Sequence, residues 1–217
     1  MGKCSSTTYL YLVSLVAAVG GFLFGYDLSI ISGALPFLKA RFALDATRDG
    51  WATSSAILRS ILGPMAGVWL ADAVGRRKTL AIASFCFMAS AIGTALPHSL
   101  GQFVFWRMFG GVEVGLAAAT SPMYMAEIAP AQMRGRPVTV NQLAIVIGIN
   151  LAVIASYLLS FGEHWRWMFA SEVLPILLLM IGLCFVPESP RWLGARKRDD
   201  DALDVLSRIN GSEQGAG

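Results

Sequence analysis

Six apolar runs, each near the length that carries an α-helix across a bilayer, govern what this chain can fold into. They fall at residues 9–35, 51–71, 79–97, 101–126, 138–160 and 166–186. A spanning helix needs about 20 predominantly apolar residues. In lipid, such a segment must satisfy its own backbone hydrogen bonds, which a helix does. Only 14% of the residues are charged and 55% are hydrophobic, whereas soluble domains average about 25% charged. A globular core could not hide this much apolar sequence. The intervals between the runs hold turn and charge signals: Pro36 to Gly50, Asp72 to Lys78, Pro97 to Ser99, Glu127 to Pro137, and Phe161 to Trp165. The pattern predicts an all-α membrane protein, a six-transmembrane-helix bundle over residues 9–186. Residues 1–8 precede it, and residues 187–217 form a linker helix region and a disordered tail.

Lysine and arginine set the orientation of such a bundle. With the N-terminus inside, eleven fall on the cytoplasmic side: Lys3, Arg76, Arg77, Lys78, Arg134, Arg136, Arg191, Arg196, Lys197, Arg198 and Arg208. Four fall outside: Lys39, Arg41, Arg48 and Arg166. Both termini are therefore expected in the cytoplasm. The segment Asp199 to Asn210 reads as a short cytoplasmic helix, its aspartates suiting a helix start. Ala202, Leu203, Leu206 and Ile209 would form its apolar face.

Several function classes drop out. The first apolar run is too long for a signal-peptide core and lacks a convincing cleavage site. Met1-Gly2-Lys3-Cys4-Ser5-Ser6 loosely fits a myristoylation pattern, but that anchor would be redundant here. Cys4, Cys86 and Cys184 are too dispersed for a disulfide framework or metal cluster, so no metal or cofactor is expected. The net charge of +3 resides in short juxtamembrane clusters, which does not suggest nucleic-acid binding. No nucleophile elbow or nucleotide loop is present, and His98 and His164 fall in the expected outer loops. An enzyme is not expected.

Two charges inside the runs invite explanation, because an ionisable group at membrane depth is costly and is a functional hypothesis by default. Asp27 lies 18 residues after Tyr9, roughly 27 Å along a helix, and Arg107 lies 20 residues before Glu127, roughly 30 Å. Their depths match. Burial disfavours a charged carboxylate and a neighbouring guanidinium favours it. A carboxyl balanced between the two can load and release a proton; the alternative is a static ion pair.

Several local patterns point to one family. Gly25-Tyr26-Asp27 lies in the first run and Asp72-Ala73-Val74-Gly75-Arg76-Arg77 follows the second. Arg107, Gly111 and Gly115 line the fourth, which ends Pro122-Met123-Tyr124-Met125-Ala126-Glu127. Arg134-Gly135 follows, Asn141-Gln142-Leu143 opens the fifth, and Pro187-Glu188-Ser189-Pro190-Arg191-Trp192-Leu193 follows the sixth. In this order, over roughly residues 9 to 210, the chain resembles the sugar porters of the major facilitator superfamily, closest in style to the bacterial xylose–proton symporters. That family has twelve spans in two halves. The resemblance implies that this chain corresponds to the N-terminal half, and that a second six-helix half is needed for a complete transporter.

The resemblance also implies roles. The substrates would be a monosaccharide, pentose or hexose, and a proton, moved across the cell (inner) membrane. The Asp27–Arg107 pair would couple them. Gln142, whose amide offers donors and an acceptor, would bind sugar; its alternative is a helix–helix hydrogen bond. Phe24, with Phe22, would flank the sugar path, or simply pack. Arg76, Arg77, Glu127, Arg134, Glu188 and Arg191 would form a cytoplasmic gate network. Positive-inside topology alone would explain those arginines but not the two glutamates.

Four positions depart from the family pattern. Ala73 replaces the usual arginine and Val68 the usual glycine, which would weaken the gate. Arg59 and Glu113 stand where glycine is usual, both roughly 20 Å from the cytoplasmic end, and are read as a compensating intramembrane pair; otherwise one of them faces the aqueous cavity. Two other readings remain open: a half-size protein that acts only by pairing with another subunit, and a non-transporting interaction protein.

Overall fold

The first helix, α1, runs without interruption from Ser6 to Phe42. The expected end near residue 35 is passed because Pro36 lies inside the helix. A proline there removes one i→i−4 hydrogen bond, which a membrane helix tolerates. The computed structural model describes residues 6–42, 63–129, 135–162 and 165–210. Residues 63–74 are the described part of α2. Then come α3 (Arg76–Ala95), α4 (Leu100–Ile128), α5 (Gly135–Ser160), α6 (Trp165–Ala170), α7 (Val173–Phe185), α8 (Pro190–Ala195) and α9 (Asp199–Asn210). All are helical. Among the described residues four stretches are long and apolar enough to cross a membrane: Val13–Ala40, Arg76–Ala95, Val138–Ser160 and Trp165–Phe185. The 29-residue α4 is also long enough, but it carries Arg107, Glu113 and Glu127.

Small residues hold the bundle together. Lipid is as apolar as leucine, so helix pairing in a membrane depends on close backbone approach. Down the α1–α5 seam, Gly21 faces Asn141, Gly25 lies against the Ile145 carbonyl, Gly148 against the Phe22 carbonyl, and Gly33 against Ser156. At the α2–α4 seam, Gly63 meets Gly111 and Gly115 backbone to backbone. A side chain at these positions would push one helix off the other.

The last spanning stretch is broken. Between α6 and α7 the backbone tightens to i→i−3 bonds, Glu172 N–H to Phe169 O at 3.2 Å and Leu174 N–H to Ser171 O at 3.4 Å. Pro175 supplies the cause, since it cannot donate to the Ser171 carbonyl. The break sets Ser171 and Glu172 at mid-bundle.

Helix α9 matches the expected span, but its buried face is Ala202, Val205 and Ile209, while Leu203 and Leu206 are exposed. Residues i, i+3 and i+7 form one stripe; the leucines lie on the neighbouring stripe, turned from the bundle.

Candidate functional site

Two apolar clusters fill the interior. One gathers Leu23, Val114, Ile176 and their neighbours; the other gathers Tyr26, Ile30, Phe103 and Phe169. Arg107 on α4 and Glu172 at the α6–α7 break each lie in sequence between members of the two, and Asp27 on α1 follows Tyr26 at the edge of the second, so a polar layer lies where the clusters meet.

Arg107 and Asp27 are joined there. Arg107 Nη1 donates to Asp27 Oδ1 at 2.5 Å and Nη2 to Oδ2 at 3.5 Å. Arg107 is 5% exposed and Asp27 4%. Behind the guanidinium stands the Phe169 ring, its centroid 5.8 Å from Cζ. That ring is itself held edge-on by Phe103 and Trp165. Arg107 is thus clamped between a carboxylate and an aromatic face, a cation–π arrangement that strengthens when water is excluded.

Glu172 is the residue that sequence reasoning missed. It is buried, and its charge acts on Arg107, as that of Asp27 does. The rule that singled out Asp27, a charge inside an apolar run, applies equally to Ser171-Glu172 within the sixth run. The neighbouring Ser171 Oγ donates to Met168 O at 2.5 Å. Its single hydrogen is thereby used, so Tyr26 O–H donates to Ser171 Oγ across 2.8 Å. This bond ties α1 to the break beside Glu172.

Gln142 is exposed on α5, next to the buried Asn141 that packs at Gly21. Phe24 is half-buried against the first apolar cluster.

A second polar cluster closes the end of the bundle where α2, α3, α4 and α8 meet. Arg76 bridges Asp72 at 2.9 Å and Glu127, by Nε to Oε2 at 2.9 Å and by Nη2 to Oε1 at 3.0 Å. Ser189 Oγ donates to Glu127 Oε2 at 2.5 Å, and Tyr124 O–H donates to the Pro187 carbonyl at 2.5 Å. Glu188 contributes differently from an ion pair. Its Oε1 accepts the Arg77 backbone N–H at 2.9 Å, capping the start of α3 in place of a local side chain. Gly75 makes room for this: its φ of 104° suits glycine, and a Cβ there would strike the Glu188 carboxylate. The Arg77 guanidinium turns instead to Leu183 O at 2.8 Å. Arg196 Nη2 reaches the Asp72 and Ala73 carbonyls at 3.1 and 2.7 Å, and Trp192 Nε1 the Asp72 carbonyl at 3.0 Å. At Ala73, α8 and its following turn thus secure the α2 end. Arg191 is exposed on α8, and among the described residues no ion pair joins it to this cluster. Arg134 and Arg59 lie outside the described residues.

Glu113 points away from α2. Gly111 and Gly115 face Gly63, and residue 113 is about 200° of helix turn from either. Its carboxyl lies instead toward Ser90 on α3. Among the described residues no cluster of histidine, cysteine and carboxylates could hold a metal.

A model of the family described as "Sugar (and other) transporter" matches residues 13–216. The "Glucose transport protein" of Synechocystis is 38% identical, over 96% of this chain and 47% of its own length. The "D-xylose-proton symporter" of Escherichia coli is 36% identical, over 95% and 49%. A solved structure of the proton:xylose symporter of the major facilitator superfamily, bound to 6-bromo-6-deoxy-D-glucose, superposes with a TM-score of 0.91 at 36% identity, over 95% of this chain and 51% of that one. An inward-open xylose transporter from E. coli gives 0.85 at 37% identity, over 94% and 53%. The chain spans about half the length of the curated relatives it matches.

Proposed function

The chain belongs to the sugar (and other) transporter family, a multi-pass membrane protein, and we propose that it acts as the N-terminal half of a sugar–proton symporter. The buried Asp27–Arg107 pair is the observation that carries this reading. Two opposite charges at the core of a membrane bundle are expensive to keep for stability alone, since apolar side chains of similar volume often serve as well or better. A pair kept there is better accounted for by a proton that comes and goes.

The chemistry follows from the geometry. With Asp27 ionised, Arg107 is neutralised and pinned against Phe169. A proton taken up at an Asp27 carboxyl oxygen removes that anion. Arg107 then turns toward Glu172, whose charge already acts on it. Since α1, α4 and the α6–α7 break each contribute one group, this exchange shifts the balance between arrangements of the bundle. A sugar that binds one arrangement better than another is thereby linked to the proton.

The substrate would be a pentose or hexose. It would meet Gln142 and Phe24 on the open side of the bundle, where a second six-helix half would complete the cavity; the alternative for Gln142 is a helix–helix hydrogen bond. The cluster of Arg76, Glu127, Glu188 and Ser189 would be the cytoplasmic gate, holding α3, α4 and α8 together until the inward-facing state opens. Arg77 would serve through its backbone and Arg191 from the gate's margin, and Arg134 would belong to the same network. The protein would lie in the cell (inner) membrane with both termini cytoplasmic.

Uptake of labelled pentoses and hexoses into vesicles tests this, with the chain co-expressed beside a complementary six-helix half and with or without an imposed proton gradient. Accumulation that requires the gradient is expected. Equal uptake without it overturns symport, and no uptake with any partner half favours an interaction protein.

A further inference from the structure

Arg107 is shared by three carboxyls, Asp27, Glu172 and Glu113. Glu113 is only 1% exposed and Asp27 holds the guanidinium's two terminal nitrogens. Among the described residues Glu113 Oε2 has no hydrogen-bond partner, and Oε1 folds back over Gly110, whose missing side chain leaves room for it and for Ser90 Oγ.

Ser90 decides the protonation state. It has a single O–H, which it donates to the Trp106 carbonyl at 3.1 Å. Toward Glu113 it can therefore offer only a lone pair. A lone pair repels a carboxylate oxygen and accepts from a carboxylic acid O–H, and Glu113 Oε1 and Ser90 Oγ converge in the space over Gly110. The titratable groups that act on this carboxyl are Asp27 on α1, Cys86 on α3, Arg107 on its own helix and Glu172 at the α6–α7 break. Two are acids and one is a thiol. Among the described residues Arg107 is the one cation in this set, and it is already engaged by Asp27.

We infer that Glu113 is a second proton-binding carboxyl of the bundle, holding its proton at neutral pH and donating it to Ser90 while Arg107 pairs with Asp27. A buried ionised carboxylate with one bare oxygen and two acidic neighbours would be prohibitive; the acid form makes one good hydrogen bond and carries no charge. The site is peculiar to a chain with glutamate at 113, serine at 90 and glycine at 110, and it stands whether or not Asp27 couples transport.

Infrared spectroscopy of the purified full chain in lipid at neutral pH reads the carbonyl stretch of a protonated carboxylic acid, which an ionised carboxylate lacks. The wild-type chain should show that band, E113Q should lose it, and D27N should keep it. Glutamine is isosteric with the acid and can donate to Ser90, so E113Q should leave the thermal midpoint unshifted. A band absent from the wild type, or retained in E113Q, overturns the inference. So does a lowered midpoint in E113Q that E113Q/R59Q restores, which would make Glu113 the ionised partner of Arg59.

Discussion

Removing Arg107 should harm the fold far more than removing Asp27, although the two form one ion pair. At a separation of about 4 Å between charge centres and an effective dielectric near 20, the pair attracts by about 4 kcal/mol. Arg107→Met leaves Asp27 and Glu172 buried with no described cation between them, and stranding a buried charge costs about 3–5 kcal/mol. Asp27→Asn leaves Arg107 with an amide oxygen to donate to, the Phe169 face and the charge of Glu172. Its cost should fall to about 1–3 kcal/mol, the scale of one hydrogen bond to a charged group. The double variant should cost less than the sum, by about 2 kcal/mol, as expected for residues in direct contact. Thermal unfolding of the helical circular dichroism signal in detergent, compared at one scan rate, reads the order. At about 2–4 °C per kcal/mol for chains of this size, R107M should lose roughly 10 °C. If D27N proves the more damaging, or the two losses simply add, the shared-counter-ion account is wrong.

Three further outcomes follow from the packing. Gly115→Ala places a methyl against the backbone of Gly63 and Pro64, which cannot yield as a side chain can, so it should lower stability by about 1–3 kcal/mol. Gly101→Ala meets nothing and should stabilise α4 by up to about 1 kcal/mol, so a midpoint comparison of the two separates packing from propensity. Glu127→Ala leaves Arg76 only the exposed Asp72 carboxylate and the Ala71 carbonyl, removes the Ser189 acceptor, and should cost about 2–3 kcal/mol. Trypsin should then cut at Arg191, Arg196 and Lys197 faster than in the wild type; unchanged cleavage would mean that Glu127 does not hold α8.

The sequence carries the coarse architecture because its signals are local. Hydropathy length marks the spans, and a charge within an apolar run marks Asp27 and Arg107, whose common depth follows from counting the helix rise. What depends on long-range neighbours is less legible. Pro36 looks like a stop, yet α1 continues to Phe42, since a single lost backbone bond is affordable in a long helix. Pro175 looks innocuous, yet it accompanies the break that exposes Ser171 and Glu172 to the polar layer. Glu188 reads as a partner for arginine side chains, whereas it caps α3 through the Arg77 backbone. That role depends on Gly75, more than a hundred residues earlier. The direction of Glu113 depends on which face of α4 the small residues of α2 occupy, a register no single segment specifies.

Gradient-driven sugar accumulation with Asp27 intact and with Asp27→Asn tests the central claim most directly. Vesicles bearing the chain and a complementary half should accumulate a monosaccharide above its external concentration when a proton gradient is imposed. D27N should abolish that accumulation while leaving exchange of sugar across the membrane measurable. Undiminished gradient-driven accumulation in D27N would contradict a proton-coupling role for the Asp27–Arg107 pair.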